Sequence, residues 1–167
     1  MITPVLLSDD TCPPQLLPLS FVQQPARPAA CHHLALQEHI RKAGLSNRIV
    51  TRAGDMLTIP LESGRYDLVL LSAICHMYSP EENRQLFARA YAALAPKGRL
   101  VVSDFILEPD KTAPRFAALF ALNMLVGTRA GTSYSEPEYE DWLKAAGFSE
   151  TKHVRIPGPA TLMIATK

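Results

Sequence analysis

Two near-continuous apolar runs, residues 66–74 (YDLVLLSAI) and 99–107 (RLVVSDFIL), narrow the choice of folds more than any other feature of this 167-residue chain. Apolar runs of that length without alternation mark strands buried on both faces. Between them, Ser79-Pro80-Glu81-Glu82 predicts a helix opened by a capping box with proline at its first position. Leu86, Phe87, Ala90, Tyr91 and Leu94 then recur on one helical face until Pro96-Lys97-Gly98 stops the helix. Strand, helix and strand in that order imply a right-handed crossover and a largely parallel sheet. The expected class is α/β.

The chain from His32 onward continues in the same style. Residues 34–43 predict a helix with Leu36 and Ile40 on one face and Gly44 as its left-handed cap. Residues 48–53 read as a short strand ending at Gly54-Asp55, and residues 113–126 as a strongly apolar helix. Ser135-Glu136-Pro137-Glu138 is a second capping box, opening a helix that ends at Ala146-Gly147. Residues 152–156 and 161–166, joined through Pro157-Gly158-Pro159, form a hairpin-like pair.

The front of the chain differs. Six of its fourteen prolines fall within the first 28 residues, and all eight glycines lie at or after Gly44. Proline removes backbone donors and disfavours the helical region before it, so residues 1–31 are expected to form an irregular leader ahead of a domain at 32–167. Within that leader, residues 4–8 and 16–22 alone have edge-strand character.

With 47% apolar residues, 20% charged and a net charge of +1, the chain lacks the basic field that nucleic-acid binding requires. An odd count of three cysteines argues against a disulfide framework and suits a reducing compartment. No secretory start and no membrane-length apolar run is visible, so a cytoplasmic chain without a membrane span is expected.

In an open α/β sheet, ligands bind beyond the carboxyl ends of the strands. Those ends carry Gly54-Asp55-Met56, then Ser72 through Cys75-His76-Met77-Tyr78, then Asp104-Phe105. A carboxylate there can accept from an amine or hydroxyl, a methionine can pack on a flat ring, and a histidine can act as a base near neutral pH. Plainer roles stand beside these. Asp55 could cap the following turn, His76 could bond to backbone, Asp104 could be an exposed strand-end carboxylate, and Met124 could be core. Cys31-His32-His33, with Cys12 upstream, has no metal-site spacing, so no metal is expected. Cys75 beside His76 reads as a small buried residue.

Taken together, AGDM (53–56), YDLVLLSAICHMYSPEE (66–82), LAPKGRLVVSDFIL (94–107), ALNMLVGT (121–128) and YSEPEYEDWLKAAGF (134–148) resemble the S-adenosylmethionine-dependent O-methyltransferases. The closest group is the plant-type small-molecule enzymes and their bacterial relatives. The resemblance covers residues 34–167 and implies an incomplete class I (Rossmann-like) methyltransferase sheet with a C-terminal antiparallel strand pair. It implies S-adenosylmethionine as cofactor, with Gly54, Asp55, Met56 and Ser72 on the cofactor side. There Asp55 accepts from the adenine amino group and Met56 packs on its ring. His76 would be the general base toward a hydroxyl of a small aromatic or isoprenoid acceptor, with Asp104 orienting it. Asn123 and Met124 would line the acceptor pocket.

Departures from the pattern are informative. Ser72 stands where many members have lysine, and Ser133 where plant enzymes have a second acid. The family's first two strands and its Gly-rich loop have no counterpart in residues 1–33, nor do Asp9 and Asp10 match its ribose-binding acid. The chain therefore reads as the carboxyl-terminal part of such a catalytic domain, a fragment behind an unrelated leader. Without the missing strands, those ending at Asp55 and Ile74 must pair directly, gain substitutes from residues 4–22, or stay imperfectly joined. The alternative to an enzyme is a non-catalytic remnant that binds or dimerises with a partner, because an uncovered apolar helix at 116–126 would favour association, including a homo-oligomer. A nucleotide-binding module of different chemistry is the third reading.

Overall fold

A computed structural model describes residues 5–7, 29–52 and 54–167, for 5–7 and 29–34 as backbone alone. Residues 16–22, Asp9, Asp10 and Cys12 lie outside the described residues, as do the side chains of Cys31, His32 and His33. The elements are β1 (Val5–Leu7), α1 (Ala29–Lys42), β2 (Tyr66–Ser72), a 3-10 turn (Cys75–Met77), α2 (Pro80–Ala93), β3 (Leu94–Asp104), α3 (Arg115–Gly127), α4 (Glu136–Ala146), β4 (Glu150–Arg155) and β5 (Thr161–Thr166). The strands form one sheet in the order β1-β2-β3-β5-β4.

The α/β class holds, but the sheet is mixed rather than largely parallel. Only β2 and β3 run parallel, whereas β1–β2, β3–β5 and β4–β5 are antiparallel. The reason is topological: α2 alone returns the chain across the sheet between strands that end up adjacent. The C-terminal pair forms as expected, with β5 inserted between β3 and β4.

Residues 48–53 form no strand over their described part, which corrects the expectation. A strand needs a neighbour to accept its ladder of hydrogen bonds. The open edge of β2 is taken by Val5–Leu7, which pair antiparallel with Leu68–Leu70. Residues 49–52 are thus left outside the ladder, with Val50 81% exposed. Val5–Leu7 accordingly supplies one of the two substitute strands anticipated for the front of the chain, and that part is not irregular.

Both capping boxes form. Ser79 Oγ accepts from the Glu82 N–H at 3.2 Å while Glu82 Oε2 accepts from the Ser79 N–H at 2.8 Å. Ser135 and Glu138 repeat the arrangement at α4, which ends on Gly147 in the left-handed region. α1 begins at Ala29, earlier than residue 34, and closes at Gly44. β3 begins at Leu94, earlier than residue 99. Leu94 pairs with Tyr66, then the register shifts so that Leu68 faces Arg99. Lys97 takes a left-handed conformation within that irregularity. Gly98 is required there, because a Cβ would lie 2.9 Å from the Ala95 carbonyl and 3.1 Å from that of Tyr66.

The core lies between the sheet and α2 with α4. Phe87, Leu94, Leu100, Val102, Leu143 and Met163 are fully enclosed. The Phe87 ring stands 6.2 Å from Tyr139 and 6.3 Å from Trp142, so one side chain ties the two helices together. Among the described residues no helix is long and apolar enough to cross a membrane. Phe87→Ala is expected to cost about 3–5 kcal/mol in urea unfolding, the range for deleting a fully buried aromatic. A loss below about 1 kcal/mol contradicts this account of the helix pair.

Candidate active site

β2 and β3 end side by side, with Ser72 opposite Ser103 in register. Beyond β2 the chain turns sharply: Ala73 sits at φ 51° and its N–H reaches the Ser103 carbonyl at 2.8 Å. A non-glycine residue in that region is strained by roughly 1–2 kcal/mol, a cost typical of sites where geometry is imposed for a purpose. The 3-10 turn follows at once and delivers His76 beside Asp104, the last residue of β3.

His76 is 3% exposed and Asp104 2%. The imidazole Nδ1 and Asp104 Oδ1 are 2.6 Å apart, and the His76 backbone N–H donates to Asp104 Oδ2 at 3.1 Å. The Phe105 N–H adds a bond to Oδ1 at 2.8 Å, and the Tyr139 hydroxyl approaches Oδ2 at 3.4 Å. A carboxylate facing Nδ1 fixes the tautomer with its proton there, which leaves the Nε2 lone pair as the basic position. If Nε2 gains a proton, the buried carboxylate stabilises the resulting charge at close range.

The ring of His76 is enclosed by aromatic side chains. Phe120 of α3 meets it edge-on at 4.8 Å, and Phe105 lies nearly parallel at 5.9 Å. Phe116 completes the wall, 5.0 Å from Phe105. Gly131 permits the segment after α3 to close over the turn: a Cβ there would collide with the His76 carbonyl and lie 2.6 Å from Thr128 Oγ1.

The other residues singled out from the sequence are placed as follows. Asp55 is exposed and does cap a turn: Oδ1 accepts from the Leu57 N–H at 2.9 Å, which leaves Oδ2 for another donor. Met56 is buried in the main apolar cluster. Its carbonyl accepts from Arg89 Nε at 3.1 Å, and the same guanidinium reaches the Ile59 carbonyl, so α2 holds the whole Gly54–Ile59 turn. At Gly54 a Cβ would lie 2.8 Å from Ile59 Cδ1 and 3.2 Å from Ile59 Cβ, so any side chain there requires Ile59 to shift. Ser72 is half-buried at the end of β2. On α3, Met124 is buried and Asn123 exposed, so the two neighbours face different surroundings. His76 and Asp104 are brought together, and Asn123 is exposed to solvent.

Tyr139, Phe116 and Phe120, which pack around the His76–Asp104 pair, were not singled out by motif reading, and Phe105 was noted only as the residue after Asp104. Tyr139 had a signal, since residues 139, 142, 143 and 146 share the inward face of α4.

Cys75, beside His76, is fully enclosed. Burial first, and then the Asp104 charge, push its thiol well above the ordinary range, which suits the structural role expected of it. The same causes raise Tyr139, and burial followed by Glu138 raises Tyr134 to about 12. Raised values mean that the folded chain keeps protons the unfolded chain gives up. This stabilisation is complete below the unfolded thiol value of about 8.5 and is lost as pH climbs toward the folded values. The thermal midpoint is therefore expected to fall progressively above about pH 8.5, and in Cys75→Ala the fall should begin nearer pH 10, where tyrosine titrates. A flat midpoint over that interval contradicts the assignment.

Comparison with known proteins follows from these features. A family model described as an O-methyltransferase domain matches residues 33–149. The 3-hydroxy-5-methyl-1-naphthoate 3-O-methyltransferase of Streptomyces sahachiroi is 43% identical over 122 residues, which are 73% of this chain and 35% of that protein. PigF, an S-adenosyl-L-methionine-dependent methyl transferase of a Serratia species, is 36% identical over 132 residues, 79% of this chain and 38% of its own. The structure of PigF with SAH superposes with a TM-score of 0.72 at 35% identity, covering 81% of this chain and 40% of that one. An O-methyltransferase family 2 protein from Planctomyces limnophilus, in complex with apigenin, gives 0.72 at 29% identity, covering 79% and 38%. The chain thus spans well under half the length of these relatives.

Proposed function

This chain belongs to the O-methyltransferase domain family, and from that premise we propose that it carries the acceptor-activating side of an S-adenosylmethionine-dependent methyl transfer to a hydroxyl oxygen. One relative is named a 3-O-methyltransferase and another an S-adenosyl-L-methionine-dependent methyl transferase. The observation that carries the reading is the buried His76–Asp104 pair at 2.6 Å, set at the carboxyl ends of the two parallel strands. His76 Nε2 takes the proton of the acceptor hydroxyl, and Asp104 holds the ring and stabilises its charged form. Removing that proton converts a weak nucleophile into an oxyanion, and the remaining contribution of the protein is alignment.

The wall formed by Phe105, Phe116 and Phe120 supports a flat, apolar acceptor body. An aromatic acceptor is the better match, as with the naphthoate and apigenin named for two relatives.

S-adenosylmethionine, when bound, supplies the electrophilic methyl group. The residues present fit its adenine end in part. Asp55 keeps one carboxylate oxygen for an amino group, and Gly54 and Met56 shape the turn beneath it. Ser72 would border the sulfonium side. Among the described residues no Gly-rich turn faces the ribose or the methionine moiety, in line with a chain whose 32–167 region is the carboxyl-terminal part of a larger catalytic domain.

Calorimetric titration with S-adenosylmethionine, paired with thermal melting, tests the cofactor half of the proposal, because a ligand that binds only the folded state raises the midpoint. Weak binding with a raised midpoint is expected. Absence of both heat and stabilisation at millimolar cofactor sinks the idea that this chain works alone. Where binding is found, His76→Ala should abolish transfer to a phenolic acceptor and leave cofactor affinity nearly unchanged. Equal loss of both removes His76 from the base role.

A further inference from the structure

We propose that Asn83, on the first turn-and-a-half of α2, is a positioning residue that sets the place of the His76 imidazole by clamping the backbone on both sides of it. Its functional weight rests on the reading of His76 as the base, but the geometry stands on its own. Asn83 is completely buried. Its Nδ2 donates to the Cys75 carbonyl at 3.0 Å and to the Tyr78 carbonyl at 3.3 Å, the two carbonyls that bracket His76 and Met77. Both protons of the amide are thereby used on the one turn that carries the base.

That turn has little else of its own. Three residues in 3-10 form make two internal bonds, Met77 N–H to Ile74 at 2.9 Å and Tyr78 N–H to Cys75 at 3.2 Å. It follows the strained Ala73 and lies between the end of β2 and the start of α2. Asp104 holds the imidazole and the His76 N–H, and Tyr134 donates its hydroxyl to the Tyr78 carbonyl at 2.5 Å. Asn83 is the group that grips the turn from the α2 side at two points.

The other half of the amide shows what the residue is there for. Asn83 Oδ1 is buried with no hydrogen-bond partner, an arrangement that native structures rarely keep. A leucine would fill similar space without that unpaired oxygen, so the gain from asparagine lies in its two N–H donors. Capping of α2 does not need them, since the Asn83 N–H bonds the Ser79 carbonyl and the capping box is made by Ser79 and Glu82.

The test is a proton NMR signature that does not depend on turnover. With 15N-labelled histidine in the full chain, the His76 Nδ1 proton held by Asp104 should appear far downfield, identified by its loss in His76→Gln and in Asp104→Asn. In Asn83→Leu, folded by its thermal transition, that resonance is expected to move upfield and exchange with water about tenfold faster, as local opening of the turn becomes easier. Should Asn83→Leu fail to fold, Asn83→Ser, which keeps a single donor, is read in the same way. An unchanged shift and exchange rate in a folded variant overturns the proposal. Where transfer is measurable, kcat should fall about 100-fold with the acceptor KM little altered, the signature of a misplaced base. If the NMR change occurs but no variant, nor the parent chain, transfers methyl groups, the positioning role stands and the base role falls.

Discussion

The Asp104 carboxylate constrains everything around it. A charge taken out of water at 2% exposure has to be met by donors, because an unpaired buried carboxylate is far more costly than any single packing defect. Four donors meet it: two from His76, one from Phe105 and one, longer, from Tyr139. They come from three parts of the chain, the turn after β2, the end of β3 and α4. The register of β2 on β3 follows from this need. With Ser72 opposite Ser103, the chain leaving β2 emerges beside Asp104. A slip of one residue would turn Asp104 to the opposite face of the sheet and take it from His76 and Tyr139.

The same point explains why α2 and α4 are packed on each other as well as on the sheet. Tyr139 reaches Asp104 only if α4 sits at a fixed height, and Asn83 reaches the His76 turn only if α2 does. Phe87, wedged against Tyr139 and Trp142, supplies the apolar contact that sets both heights. Trp142 is also covered by the Arg84 guanidinium, 5.8 Å from its ring centre. Core packing and site geometry thus share the same side chains, so this core cannot loosen without moving the His76–Asp104 pair.

Local signals in the sequence translated well. Both capping boxes, Gly44 and Gly147 as helix ends, and the strands at β2 and β3 could be read without any structure, because each depends on neighbours within a few residues. The expected burial of both strand faces is not met at β2, since Asp67 is exposed and Leu68, Leu70 and Ser72 are half-buried. Residues 48–53 failed for the opposite reason. Their strand character is real, but a strand exists only with a partner, and the edge of β2 pairs instead with Val5–Leu7. Nothing within the segment could reveal that competition. The meeting of His76 and Asp104 was legible because they lie at or just beyond the carboxyl ends of strands that the crossover makes adjacent. Asn83 was harder, since a polar residue in a helix is usually on the wet side. Its clue was position: 83, 86, 87 and 90 form one buried stripe, so a polar residue stood where the pattern called for an apolar one.

How an acceptor would reach the base follows from how unequally the two sides of the site are held. His76 is gripped by Asp104, Asn83 and the close approach of Gly131. The opposing wall belongs to α3, in which only Ala117 and Met124 are fully buried. Leu119, Leu122, Leu125 and Val126 face outward, Val126 at 88% exposure, while Phe116 is half-exposed at the edge of the aromatic wall. A helix apolar on nearly all sides is ordinarily enclosed, so α3 rests on the rest of the domain along one edge, with Phe120 against the imidazole. Displacing that ring exposes apolar surface of a few tens of Å², worth roughly 1–2 kcal/mol. Moving His76 instead would strip a buried carboxylate of its partner, a loss of roughly 3–5 kcal/mol. On the proposed reading that difference would favour entry of an acceptor past α3. On the same reading the acceptor would take the place of Phe120 against the imidazole, and His76 would meet it without having moved.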